Sequence, residues 1–484
     1  MTTTLLCAAV TADSMAELRH RRDEVLGADL VELRLDGIRD LDVAGALVGR
    51  SGKVIVTVRP TWQGGRYDGD EATRVALLER AWTLGADYVD VEFGAAEGLM
   101  ARSRGARIVR SFHDFERVPA DAADRLRALL ASGAEVVKLA AMTHCLADVV
   151  ALADLARTAD GRAVVIGMGP TGAASRILAA QMGSPWTYAG DGVAPGQLTL
   201  ARMRDEFHVQ MISAATAVYG LVGQPVDHSL SPAMHNAAFR AADINAVYVP
   251  LAAADFADFE QFARAFKVQG VSVTAPYKLD ASRASATGSD SPLGAVNTLR
   301  RADDRWEGRN TDIEGFLAPL AGRPLRGARV SVLGAGGAAR AVAAALSSSG
   351  AAVRLHARRT EAARDTAAAC GVEAGEWPPA GDWDVLVNAT PVGTSPHVAD
   401  VPLDLDGPLT GRLVYDLVYN PPETALLRRA RSLGADVIGG LPMLVAQAAA
   451  QFEWWTGQRP PSSLMHDAAR ARLAAVADLL SGAS

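Results

Sequence analysis

The sequence predicts an α/β protein: a (β/α)8 barrel followed by two further lobes, a small α/β lobe and a Rossmann lobe. Three observations carry this. Apolar runs alternate with amphipathic stretches from residue 5 to residue 206. A second start signal, VYGLVGQPVDHSLSP, follows a boundary near 209–218. From Arg329 the pattern becomes a glycine-rich strand–turn–helix, ARVSVLGAGGAARAVAAALSSSG.

The first region holds eight strand-like runs, LLCAAV, LVELRLD, KVIVTVR, YVDVEF, RIVRSFH, VVKLAA, AVVIGM and WTYAGD, which begin near residues 5, 30, 53, 88, 107, 136, 163 and 186. Helix-like segments such as EATRVALLERAWTLG and PADAADRLRALLASG separate them. Strands alternating with helices argue a parallel sheet, and eight is the number that closes a barrel. A doubly wound open sheet is the competing architecture. The expected domains are 1–212 for the barrel, 217–318 for the small lobe and 319–442 for the Rossmann lobe. The helices of 443–484 are expected to return to the small lobe. A chain of 484 residues, 49% hydrophobic and 21% charged, has the length for two or three cores.

Composition narrows the function class. A net charge of −7 argues against nucleic-acid or anionic-membrane partners. No apolar run approaches the ~20 residues of a bilayer span. Cys7, Cys145 and Cys370 are too few and too far apart for a disulfide framework or a zinc site. The first residues enter a strand-like run with no basic leader. The expectation is a cytoplasmic protein acting on small molecules, without metal.

Only four of the 48 basic residues are lysine: Lys53, Lys138, Lys267 and Lys278. Arginine neither forms an imine nor gives up its proton near neutral pH, so a lysine kept in such an arginine-rich chain is a candidate reactive amine. Lys138 lies within the apolar strand VVKLAA, where burial disfavours the ammonium. Polar residues also mark the C-terminal parts of neighbouring strands: Glu32 and Arg34, Arg59, Asp90 and Glu92, and His113. In a barrel these ends share one mouth. An amine there is a nucleophile toward carbonyls, and His113 is the natural acid/base. Glu32 is placed to set the histidine tautomer. Arg59 and Arg176 are candidates for a substrate carboxylate.

These residues resemble a family. ADLVELRLD, TVRPTWQGG, SFHDF, VVKLA, GAASR and APGQ are similar to the type I 3-dehydroquinate dehydratases across residues 5–206. The resemblance implies that Lys138 forms an imine with the C3 ketone. It also implies that His113 moves the C2 proton and protonates the departing C1 hydroxyl, with Glu32 orienting the ring. Arg34, Arg59, Gln63, Met168, Arg176 and Gln197 match residues around the substrate. Two positions depart: Gln63 stands where glutamate is usual, and Val193 replaces the serine of the lid motif. Both changes bear on affinity more than on chemistry.

In the last region Gly334, Gly336 and Ala339 fit G-x-G-x-x-G/A, which seats a pyrophosphate on a helix N-terminus. The next strand, VRLHA, ends in Arg358, Arg359 and Thr360. Arginines without an acid there favour the 2′-phosphate of NADP. Lys278 and Asp312 form a candidate pair for protonating a carbonyl oxygen during its reduction. Residues 218–484 resemble the shikimate dehydrogenases, in the order of the bifunctional plant enzymes. By that resemblance Ser229 and Ser231 hold the substrate carboxylate. Thr274, Asn297, Tyr419, Gln447 and Gln451 complete the substrate pocket. Gly334, Ala335, Gly336, Gly337, Ala338, Asn388 and Gly440 face NADP. NATPVGT departs from the usual motif at Pro391 and Thr394, and Arg358 stands where asparagine is common.

The expected function is therefore bifunctional: Schiff-base dehydration of 3-dehydroquinate, then NADPH-dependent reduction of 3-dehydroshikimate to shikimate. The alternative is a quinate or shikimate dehydrogenase carrying a weak or non-catalytic barrel.

Overall fold

A computed structural model describes residues 4–190, 195–286 and 296–481, so Val193 lies outside the described residues. By its internal contacts the chain divides into two compact units, Met1–Pro232 with Asn245–Val268, and Ala233–Ile244 with Gln269–Ser484.

The first unit holds the eight parallel strands expected: β1 (Leu5–Thr11), β2 (Leu30–Arg34), β3 (Lys53–Thr57), β4 (Tyr88–Glu92), β5 (Ile108–Asp114), β6 (Val136–Met142), β7 (Ala163–Met168) and β8 (Trp186–Ala189). They pair consecutively from β1 to β7, and β8 returns to β1. Inward residues such as Cys7, Leu30, Ile55, Val109, Val164 and Trp186 fill the interior, which makes it a packed core rather than a pore. At the seam, β7 satisfies its outer donors with side chains. The Val165 N–H donates to Ser184 Oγ at 3.3 Å and the Gly167 N–H to Ser175 Oγ at 2.8 Å. Ser175 belongs to the GAASR motif, so that motif braces the edge of β7 as well as carrying Arg176.

The same unit contains β9 (Ala217–Gly223) and β10 (Ala246–Ala252), paired in parallel. Helix Phe256–Ala265 follows and packs on helix Leu146–Arg157 of the barrel. The Asp258 carboxylate accepts from the Leu146 and Ala147 N–H groups at 2.9 and 2.7 Å, satisfying two of that helix's unpaired donors.

The second unit holds an antiparallel set, β11 (Gly270–Val273), β12 (Thr298–Ala302) and β13 (Arg305–Arg309). A six-stranded parallel sheet follows: β14 (Arg329–Leu333), β15 (Ala352–His356), β16 (Glu373–Ala374), β17 (Val385–Asn388), β18 (Leu413–Asp416) and β19 (Asp436–Ile438). Its order, β16-β15-β14-β17-β18-β19, is the 3-2-1-4-5-6 arrangement of a doubly wound dinucleotide-binding sheet. Helix Gly440–Thr456 returns to the antiparallel set, where Trp455 Nε1 donates to the Leu299 carbonyl at 3.0 Å.

Candidate active sites

One barrel pocket is lined by Glu32, Arg34, Arg59, Gln63, His113, Lys138, Met168, Arg176 and Gln197, all of the expected residues of that site, together with Phe115 and Tyr188. The strand register explains the grouping. Adjacent parallel strands set Glu32 beside Ile55 and Ser111 beside Lys138, so inward positions fall in common layers.

Lys138 is buried with counter-charges. Its Nζ lies 3.9 Å from Glu32 Oε2, 3.6 Å from Asp90 Oδ2 and 4.3 Å from the centre of the Tyr188 ring. Asp90 also takes Arg59 at 2.8 Å and the Ser111 hydroxyl. Burial works against the Asp90 charge, but Arg59 and Lys138 outweigh it and hold the carboxyl far below its usual range.

Two expectations change here. Arg59 is not free for a substrate carboxylate. Its terminal nitrogens are held by Asp90, by Glu92 at 2.7 Å and by Ser111 at 2.8 Å. A buried guanidinium needs that compensation. Arg74 backs the network by pairing with the second Glu92 oxygen. Glu32 does not hold the His113 ring. Its Oε1 accepts from the Thr57 hydroxyl at 2.6 Å, and His113 Nδ1 is buried with no hydrogen-bond partner among the described residues.

Arg176 contrasts with Arg59. It is 2% exposed, its Nε has no partner, and no ion pair involves it among the described residues. Burial alone lowers its pKa to about 10. A desolvated cation opening on a pocket calls for an anionic ligand.

Burial first, then the Arg59 and Lys138 charges, push the His113 pKa well below its ordinary value. Protonation is thus penalised in the fold, and the ring is a neutral base at neutral pH. In a histidine-selective NMR titration, His113 should keep its neutral-form shifts at about pH 6.5, where a free imidazole is half protonated. A midpoint at or above that value would contradict its setting. Below about pH 6.5 the unfolded chain takes up a proton that the fold refuses, so this group's share of stability declines as pH falls toward the folded pKa.

In the second unit Lys278 Nζ meets Asp312 Oδ2 at 2.5 Å. Asn297 Nδ2 donates to Asp312 Oδ1 at 2.8 Å and reaches Gln447 Oε1 at 3.3 Å. Lys278, Asp312, Asn297 and Gln447 therefore form one cluster. Gln451 sits behind it: its amide is occupied by Ser272 and Thr298, and the side chain is buried. It is not placed as a substrate contact. Thr274 precedes the turn into the helix of Lys278, its carbonyl accepting from the Tyr277 N–H at 3.0 Å. The Tyr419 hydroxyl pKa is raised by burial. In the first unit the Ser231 N–H donates to Ser229 Oγ at 3.2 Å.

The glycine loop joins β14 to helix Gly337–Ser348. Gly334 has φ +119°, and a Cβ there would also meet the Ala389 carbonyl at 3.0 Å, so glycine is required. Beyond Gly336 and Gly337 lies open space, and no side chain caps the helix. Its first N–H groups are available to a pyrophosphate. Arg358, Arg359 and Thr360 are exposed after β15, and neither arginine forms an ion pair among the described residues. The site therefore fits a 2′-phosphorylated dinucleotide. Two expected cofactor residues serve the scaffold. Asn388 donates to Asp416 at 2.8 Å and accepts from Thr390, bracing the loop. A Cβ on Gly440 would fall 2.1 Å from the Leu417 carbonyl, so that glycine permits close packing.

Residues 6–213 match the type I 3-dehydroquinase family. Residues 221–299 match the shikimate dehydrogenase substrate binding domain, and residues 440–470 the shikimate 5′-dehydrogenase C-terminal domain. The bifunctional 3-dehydroquinate dehydratase/shikimate dehydrogenase of Arabidopsis thaliana, a chloroplastic protein, is 34% identical over 95% of this chain and 83% of its own length. The chain belongs to that bifunctional family. The NADP(+) shikimate dehydrogenase of Salinibacter ruber is 42% identical over 54% of this chain and 99% of its own. A Thermus thermophilus shikimate 5-dehydrogenase, solved with NADP(H) and shikimate, is 36% identical over 53% of this chain and 100% of its own, with a TM-score of 0.49.

Within the dehydratase barrel, residue-type reasoning overlooked Tyr188, Thr57 and Ser111. Tyr188 was within reach: period-2 alternation along β8 turns Trp186 and Tyr188 inward together. Nothing local marks Thr57 or Ser111, whose partners lie 25 and 52 residues away in Glu32 and Arg59. At Gln63 the side-chain oxygen accepts from the His113 backbone N–H at 2.9 Å. An amide makes that contact as well as a carboxylate does, so the departure leaves the strand end supported.

Proposed function

We propose that this chain carries out two consecutive steps of the shikimate pathway. The barrel dehydrates 3-dehydroquinate to 3-dehydroshikimate, and the dehydrogenase reduces 3-dehydroshikimate to shikimate with NADPH. The observation that carries the reading is the convergence on one pocket of a buried lysine, a base-competent histidine and a buried arginine with no ion-pair partner among the described residues. We assign the catalytic domains to 1–212, 217–318 and 319–442, with 443–484 returning to the middle lobe.

In the barrel, Arg176 takes the substrate carboxylate. Lys138 Nζ adds to the C3 ketone, and loss of water leaves an imine. His113 removes the C2 proton, the imine accepts the electron pair, and its return expels the C1 hydroxyl, which His113 protonates. Hydrolysis of the imine frees the lysine. Arg34, Gln63, Met168 and Gln197 line the substrate, while Arg59 positions Asp90 next to Lys138.

In the dehydrogenase, the Gly334–Gly337 loop and Arg359 would hold NADPH, which would supply a hydride for the carbonyl carbon. Lys278, held by Asp312, delivers the proton to the oxygen. By their motifs Ser229 and Ser231 are assigned the carboxylate, and Thr274, Asn297, Tyr419 and Gln447 the ring hydroxyls. Arg359→Ala should weaken NADPH roughly 10- to 150-fold, the worth of one charge-assisted hydrogen bond. NADH should be nearly unaffected. Equal losses for both cofactors would exclude contact with the 2′-phosphate.

A cytoplasmic setting is in keeping with three unpaired cysteines. No described helix is long and apolar enough to cross a membrane. The test of function is a coupled assay: 3-dehydroquinate and NADPH should yield shikimate. Shikimate from 3-dehydroshikimate alone would make the barrel a non-catalytic attachment.

A further inference from the structure

We propose that Gln451, Thr298 and Ser272 form a one-way hydrogen-bond chain that positions Asp312 for proton transfer, with Gln451 as a positioning residue rather than a substrate ligand. The proposal rests on the reading of Lys278 and Asp312 as the pair that protonates the carbonyl oxygen.

The direction of the chain follows from one unambiguous donor. The Thr311 backbone N–H lies 2.8 Å from Asn297 Oδ1, so that atom is the amide oxygen and Asn297 Nδ2 faces Asp312 Oδ1. Thr298 Oγ1 is 2.8 Å from the same Asn297 oxygen and must donate its single proton there. Its other neighbour in this line, 3.1 Å away, must then be a donor, which assigns it as Gln451 Nε2. Gln451 Oε1 consequently faces Ser272, whose hydroxyl donates to it at 2.8 Å. Every donor points toward Asp312. With Asn297 on Oδ1 and Lys278 on Oδ2, both carboxylate oxygens are fixed.

All four supporting side chains are buried, Thr298 completely and Gln451 to within 2% exposure. Hydrogen bonds in such a setting strengthen one another, and an unmade one is costly. Thr298 also lies 3.3 Å from Thr311 Oγ1, an alternative acceptor for its proton. Gln451 occupies one side of the Thr298 oxygen and so holds that proton on Asn297. Without Gln451 the hydroxyl can turn to Thr311, and Asn297 loses one of the bonds that hold its amide toward Asp312.

The experiment is steady-state reduction of 3-dehydroshikimate with NADPH by the full chain carrying Gln451→Met, Thr298→Val or Thr298→Ser. Small displacements of a catalytic group cost up to about 100-fold in rate. Gln451→Met and Thr298→Val should each lower kcat roughly ten-fold, with KM for 3-dehydroshikimate nearly unchanged. The double variant should be little worse than either single one, because the chain acts as a unit. Thr298→Ser, which keeps the hydroxyl, should retain most of the activity. A KM increase that accounts for the whole loss would make Gln451 a substrate ligand and overturn the proposal. So would unchanged kcat, or a serine variant as impaired as the valine one. Failure of the underlying reading looks different: Lys278→Met would then leave reduction intact while the parent chain still makes shikimate.

Discussion

Lys138→Arg is expected to eliminate the dehydration of 3-dehydroquinate while leaving the reduction of 3-dehydroshikimate at its normal rate. The substitution keeps the positive charge that Glu32 and Asp90 face, so the local electrostatics change little. What it removes is the amine lone pair, because guanidinium stays protonated. Losing a covalent nucleophile costs on the order of 10^4- to 10^6-fold in turnover. Borohydride reduction in the presence of 3-dehydroquinate should add the reduced substrate's mass to the peptide containing Lys138 in the parent chain and to nothing in the variant. Modification at Lys53, Lys267 or Lys278 instead would refute the assignment. Lys138→Met separates charge from nucleophilicity. Asp90 keeps Arg59 and Ser111 as partners in that variant, so the fold should survive and the activity should not.

The Lys278–Asp312 pair should show the second largest effect. Asp312 Oδ2 receives Lys278 at 2.5 Å and Oδ1 receives Asn297 at 2.8 Å, so the carboxylate holds the ammonium in one place. Lys278→Met removes the proton donor. Asp312→Asn leaves the donor without its orienting charge. Each should lower kcat for 3-dehydroshikimate reduction by about 10^2-fold or more, the range of general acid catalysis. Residues that act as a unit lose most of their function at the first deletion, so the double variant should be only slightly slower than the worse single one. Losses that multiply would show that one of the two merely binds substrate. Dehydration in the barrel is the internal control and should not move.

Much of both sites was legible because chemistry restricts residue type. Only a lysine can form the proposed imine, and two of the chain's four lysines stand in apolar or motif settings, Lys138 in VVKLAA and Lys278 after VSVTAPY. The glycine loop was legible for the same kind of reason: Gly334 sits at positive φ against the Ala389 backbone, where a side chain does not fit. Partner choice was not legible. Arg59 and Arg176 look equivalent as sequence, each an arginine beside a strand of the barrel. Yet Arg59 is saturated by acids from β4, and Arg176 has no such partner among the described residues.

The amino-acid sequence by itself determined the alternation of strand and helix, the glycine turn, and the reactive groups that each chemistry requires. These depend on local periodicity and on the identity of single side chains. Only the tertiary structure decided which charges are spent on one another and which remain for a ligand. Glu32 went to Thr57 and Lys138 rather than to the His113 ring. Gln451 turned its amide to Ser272 and Thr298, leaving Gln447 nearer the Lys278–Asp312 pair. The physical reason is that a buried polar group must find partners within about 3 Å. Which atoms lie that close is set by strand register and helix packing between residues far apart in the chain.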